Sequence, residues 1–156
     1  MENLWTKIND DVPMYMKKIC DKYNLACVKV SSIKTALVGG EFALIIALDR
    51  FDASVYYLHM EGKEIKIYFC DFYFTQRYDA EDRVNLLAGK GAEIEVRNNL
   101  IIIANGLFNK WGNVLSGEKE WLEDYKKSNW CFEERSFLPE EIEKIKSIQM
   151  KKNLIH

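Results

Sequence analysis

Apolar residues Leu4, Trp5, Ile8, Val12, Met16, Ile19, Cys20 and Tyr23 recur at helical spacing and predict an N-terminal helix. Asp10 and Asp11 precede Pro13, so the helix is expected to break or restart at the proline. The pattern then changes. LACVKVSS (25–32) reads as a short strand, and ALVGGEFALIIALD (36–49) as a long apolar strand region with a bulge or tight turn at Gly39-Gly40.

SVYYLHM (54–60) and EIKIYFC (64–70) flank Glu61-Gly62-Lys63, and Gly62 suits the first position of a two-residue type II′ turn. That turn sets residue 61 opposite 64. Leu58 then faces Ile67, Met60 faces Ile65 and Tyr56 faces Phe69, which is taken as the buried side. The opposite side carries Val55 with Cys70, Tyr57 with Tyr68 and His59 with Lys66, and is expected to show a tyrosine pair among polar groups.

Asp79 followed by Asp82 has the spacing of a capping box, so a short helix using Val84, Leu86 and Leu87 is expected to run to Gly89 and Gly91. AEIEV (92–96) and LIIIAN (100–105) flank Arg97-Asn98-Asn99 and read as a second hairpin, since Asn tolerates positive φ. Helices follow at 107–115, at 118–127 and from LPEEIEKIK, where Pro139 takes the first helical position and early acids with late lysines suit the helix dipole. Helix, then strands, then helices predicts a single α+β domain over residues 1–156, built on a mainly antiparallel sheet with hairpins and a meander.

Composition narrows the function. The 156 residues are 48% apolar and 29% charged, with 22 Lys and Arg against 24 Asp and Glu, giving −2. No basic block marks a nucleic-acid binder. The N-terminus lacks a basic region followed by an apolar one, and the run FALIIAL (42–48) is too short to span a bilayer. A cytoplasmic protein is expected, with its four cysteines at 20, 27, 70 and 131 reduced and most of them buried.

Catalytic signatures are scarce. Only His59 and His156 are present. His59 reads as a surface histidine on a strand, about 13 Å from Cys70 at the usual rise per residue, too far for a Cys–His pair. His156 ends the chain. The cysteine spacing forms no metal knuckle, and GKG at 89–91 is too short for a phosphate loop.

The carboxylates are richer. Residues 69–79 read FCDFYFTQRYD and continue AEDR. Two readings stand. Asp49 and Asp52 in one loop and Asp71 at the end of a strand fall at one sheet edge, where a magnesium-dependent hydrolase or nuclease is conceivable. Against that, Asp commonly caps turns and helices. The second reading is a docking surface in which Asp71, Tyr73, Gln76, Tyr78, Asp79, Glu81 and Asp82 combine anchors with an acidic rim for a basic partner.

LDRFDASVYYLHMEGKEIKIYFCDF, together with GEKEWLEDYKK, resembles the small immunity proteins of bacterial contact-dependent inhibition and other polymorphic toxin systems. The resemblance covers roughly the middle two-thirds of the chain. It implies a non-enzymatic protein without cofactor or metal that binds a cognate toxin domain, often a nuclease, and blocks it stoichiometrically. These families share no catalytic motif, so no contact residue carries over from them.

Overall fold

A computed structural model describes residues 3–154. Helices α1 (Leu4–Tyr15) and α2 (Lys17–Tyr23) lead into strands β1 (Ala26–Ser31), β2 (Lys34–Val38), β3 (Phe42–Leu48), β4 (Ala53–Glu61) and β5 (Glu64–Phe69). Then come α3 (Asp71–Thr75), a 3₁₀ turn at Ala80–Asp82, α4 (Ala92–Lys110), α5 (Gly112–Leu115), α6 (Glu120–Lys127) and α7 (Pro139–Leu154). The strands form one antiparallel meander in the order β1-β2-β3-β4-β5. This is the expected α+β architecture.

Asn3 caps α1 by accepting the Trp5 amide at 2.7 Å. The helix does not break at Pro13. It continues to Tyr15 and yields to α2 at Met16. Ile8, Val12, Met16 and Ile19 are all buried, so one apolar stripe crosses the proline, and burying it outweighs one missing amide donor.

The β4–β5 hairpin has the expected register, with Tyr57 opposite Tyr68 and Glu61 opposite Glu64. Gly62 supplies the positive φ (+62°) of the turn. The two faces, however, are not divided as the pattern implied. The side expected to meet solvent is the deeper one: Val55, Tyr57, His59 and Cys70 are buried beneath the helices. His59 is therefore not a surface residue. Tyr56, Leu58 and Ile67 belong to a second core with Phe137 and Ile145, while Met60 is 45% exposed. Strands covered on both faces lose the polar–apolar alternation that tells one face from the other.

Two further expectations fail. Residues 92–105 form most of the 19-residue helix α4, not a hairpin. Val96, Leu100, Ile103 and Leu107 are buried at helical spacing, and Glu93 pairs with Arg97 one turn on at 2.9 Å. Packing of that stripe overrides the strand preference of the Ile101–Ile103 run, which amounts to about 1 kcal/mol per residue at most. After the capping box of Asp79 and Asp82, only the 3₁₀ turn forms. Asn85, at φ +62°, then takes the chain out of helical geometry.

Trp111 and Trp121 are core residues, and the Trp111 indole donates to the Phe74 carbonyl at 2.9 Å. The Tyr78 ring lies flush against α4 at Gly106, where an added Cβ would fall 2.3 Å from the ring. Gly106→Ala is accordingly expected to lower stability by about 2–3 kcal/mol, because neither the helix backbone nor a packed ring can retreat. Urea unfolding of the variant measures this.

Candidate interaction surface

The segment 71–82 divides between core and surface. Asp71, at the start of α3, is buried, and Tyr73 is half-buried against Trp111 and Tyr125, at ring distances of 5.6 and 5.3 Å. Tyr78 packs on Gly106. Asp82 is fully buried and accepts from Asn109, Lys110 and the Asp79 amide at 2.9, 3.0 and 3.0 Å. These four are structural parts. Gln76, Asp79 and Glu81 are exposed, but Lys110 reaches Asp79 at 3.0 Å and Glu81 at 3.5 Å, so this cluster carries its own counter-ion.

A different surface emerges beside it. Rings from four segments form a strip: Phe137 to Tyr56 (5.2 Å between centroids), Tyr56 to Phe69 (5.2 Å), Phe69 to Phe72 (5.0 Å) and Phe72 to Trp130 (6.1 Å). Phe72 is 53% exposed, Trp130 43% and Phe132 58%. The exposed thiol of Cys131 sits between the last two in the chain. Sequence reading could not assemble this strip, because Phe72 and Trp130 meet only through tertiary structure.

Tyr125 holds the strip in place. Its hydroxyl donates to the Phe69 carbonyl at 2.7 Å and accepts the Phe132 amide at 2.9 Å. The Phe69 amide donates to the Phe132 carbonyl (2.9 Å) and the Glu134 amide to the Ile67 carbonyl (2.7 Å), so residues 132–134 line the otherwise open edge of β5. Burial raises the Tyr56 phenol above its usual range, and Glu134, Asp71 and Asp49 raise it further. Of these, Asp71 is buried, which leaves Asp49 and Glu134 as the acids nearer the surface beside Tyr56, and neither forms an ion pair among the described residues.

Two loops extend the same end of the sheet, each fastened to α4. Asn98 clasps Leu87 by donating to its carbonyl (3.1 Å) and accepting from its amide (2.7 Å). Neighbouring Asn99 donates to Asp52 and to the Ala53 carbonyl. Those asparagines, which resemble turn residues in the sequence, are loop latches. The loops present Phe51, Val84, Leu86 and Leu87 to solvent.

Asp49, Asp52 and Asp71 do share this end of the sheet, as their spacing implied. Among the described residues, no group of three His, Cys, Asp or Glu side chains is arranged to hold a metal ion. Burial lifts the Asp71 carboxyl to about 7, with the nearby Asp52 charge adding to it. All four cysteines are free thiols. His156 lies outside the described residues, and among those described no helix is long and apolar enough to cross a membrane. No family model matches the chain, and neither a curated protein nor a solved structure matches it.

Two outcomes follow from this geometry. The folded protein holds the Asp71 proton up to about pH 7, whereas an unfolded chain releases it near 3.8. Stability should therefore fall as pH rises from about 4 to 7, with a slope approaching about 1.4 kcal/mol per pH unit. Asp71→Asn should remove that slope in denaturation series across this range. Tyr125→Phe should cost about 1 kcal/mol, since it strands the part-buried Phe69 carbonyl and Phe132 amide. Amide hydrogen exchange should speed up at Phe132 before the rest of the sheet.

Proposed function

We propose that this protein is a cytoplasmic immunity protein that neutralises a cognate bacterial toxin domain by stoichiometric protein–protein binding. The supporting observation is the exposure of Phe72, in ring contact with Trp130, and of nearby Phe132, on a backbone pinned by Tyr125, with Asp49 and Glu134 close by. Exposed aromatic rings on a fixed scaffold are the anchors of protein interfaces. Acids beside them favour a cationic partner and speed its capture. A nuclease fits that description, because the track that holds its polyanionic substrate is itself cationic. Carboxylates laid over such a track would occupy the place of the phosphates, with no chemistry required of the immunity protein. Gln76, Asp79 and Glu81 lie on the next stretch of surface, and are assigned to the rim of the contact rather than its centre.

The test pairs this protein with the C-terminal domain encoded by the reading frame immediately upstream of its gene. Expressed alone in a naive bacterium the domain should kill, and co-expression of this protein should restore survival. Phe72→Ala with Trp130→Ala should abolish rescue and weaken binding at least about 100-fold, as expected for two central anchors. Asp79→Ala should have little effect. Toxicity without rescue, or rescue that survives loss of both rings, would overturn the assignment.

A further inference from the structure

The turn from α2 into β1 brings two of the cysteines together. Helix α2 ends at Asn24, whose left-handed backbone (φ +54°) lets the Cys20 carbonyl accept both the Asn24 amide and, at 3.1 Å, the Leu25 amide. The chain doubles back there, and β1 starts alongside the last turn of the helix. Alternation along β1 puts Cys27 and Lys29 on one face. That face looks toward the N-terminal helices, since Lys29 pairs with Asp10 of α1 at 2.9 Å and Cys27 packs on the same core as Cys20. The Cys20 and Cys27 thiols share a hydrogen bond.

Both thiols are half-buried, in contrast to Cys70, which is enclosed. An enclosed thiol packs as a small hydrophobe and is inert, whereas one that solvent and charge can reach reacts as its thiolate. Cys27 donates to the Cys20 sulfur, and that bond is the largest influence holding the Cys20 thiol below its ordinary range, against burial and the Asp21 charge. Lys152 adds a smaller pull in the same direction. Its ammonium is fixed at this corner by donating to the Asn24 carbonyl at 2.7 Å, while Asp21 is compensated by Lys17 at 2.8 Å. Cys27 is the complement. Its bond to the Cys20 sulfur, then burial, raise its thiol well above the ordinary range, so it keeps its proton while Cys20 is free. A reactive thiol with a second thiol in contact is the arrangement of an attacking and a resolving cysteine.

We propose that Cys20 and Cys27 form a thiol-modification site, a dithiol that small disulfides of the glutathione class convert reversibly into an internal disulfide. Cys20 gives its proton to solvent, and its thiolate attacks one sulfur of the small disulfide and breaks that S–S bond. A mixed disulfide forms on Cys20, and one small thiolate leaves and takes up a proton. The Cys20 sulfur can then no longer hold charge, so the influence that kept Cys27 protonated lapses. Cys27 gives its proton to solvent, its thiolate attacks the Cys20 sulfur, and the second small thiolate leaves and is protonated in turn. Two protein thiols are oxidised, and the small disulfide is reduced to two thiols. The new bond ties the end of α2 to β1.

The full chain carrying Cys131→Ser tests this, because the exposed thiol is then absent and Cys70 is enclosed. No toxin enters the test, so it stands or falls separately from the immunity role. Folded protein near neutral pH is incubated with glutathione disulfide, quenched with acid, alkylated under denaturing conditions, and read by intact mass and peptide mapping. The expected result is the loss of two hydrogens, with Cys20 and Cys27 in one disulfide and Cys70 alkylated, and full reversal by dithiothreitol. Adding Cys27→Ser should stop the reaction at a glutathione mixed disulfide on Cys20. Adding Cys20→Ser instead should slow modification at least about tenfold, since the attacking thiol is gone. Alanine at either position gives the same comparison if serine unsettles the packing. Untouched thiols in the folded protein, a mixed disulfide that does not resolve while both cysteines are present, or an internal disulfide that forms only after unfolding in urea would each overturn the proposal.

Discussion

The constraint on which the rest of the structure depends is that the central strands have no face to give to water. Leu37, Leu44 and Ile46 point one way, Ala36, Val38, Ala43 and Ile45 the other, and all are buried. Antiparallel sheets commonly leave one side solvated, but this one cannot. The helices from both ends of the strand region cover the first face. The second waits for α7, the last helix in the chain. Its docking is secured by Glu141, whose carboxylate accepts the Leu138 amide at 2.8 Å and pairs with Lys34 at 3.0 Å across the boundary of the second core. A charge buried that far is tolerated because its hydrogen bonds are satisfied, and removing one partner would leave the other uncompensated.

The same demand for coverage produces the exposed strip. Strand β5 lies at the edge of the sheet, where unpaired backbone groups invite aggregation. The chain answers with residues 132–134, pinned by a tyrosine that belongs to the core. Pinning the backbone there orients the side chains on either side of it outward. Surface rings and edge protection are thus one device. The strip is rigid because it closes the fold, and preorganised anchors lose little conformational entropy when they meet a partner. At the same end of the sheet Asp52 is held through Asn99, and Asp71 is buried at the head of α3.

What the sequence revealed, and what it hid, follows the range of each interaction. The β4–β5 register was legible because Gly62 and the flanking alternation are local. Which face was inner was not, since both faces are covered and only the positions of the helices rank them. Asn98 and Asn99 have the chemistry of a turn, yet in α4 they serve loops far away in the chain, a role without a local mark. The acid–aromatic stretch after β5 was visible as an unusual composition. Its division was not: Asp82 and Tyr78 turn inward to α4, while Phe72 turns outward to meet Trp130. His59 looked solvent-facing for the same reason that Tyr57 did, and its partners Glu61 and Tyr68 could be placed beside it only once that face was known to be buried.

Cys131 gives the strip a chemical consequence of its own. It is an exposed thiol flanked by two of the anchoring rings, whereas Cys20 and Cys27 are half-buried and Cys70 is enclosed. In oxidising buffer it is the most accessible of the four thiols and the natural point for two copies to cross-link. Purified protein is therefore best kept reduced when its surface is studied. Conversely, a fluorophore coupled to Cys131 would sit at the strip itself, reporting its occupation from within while testing how much added bulk it tolerates.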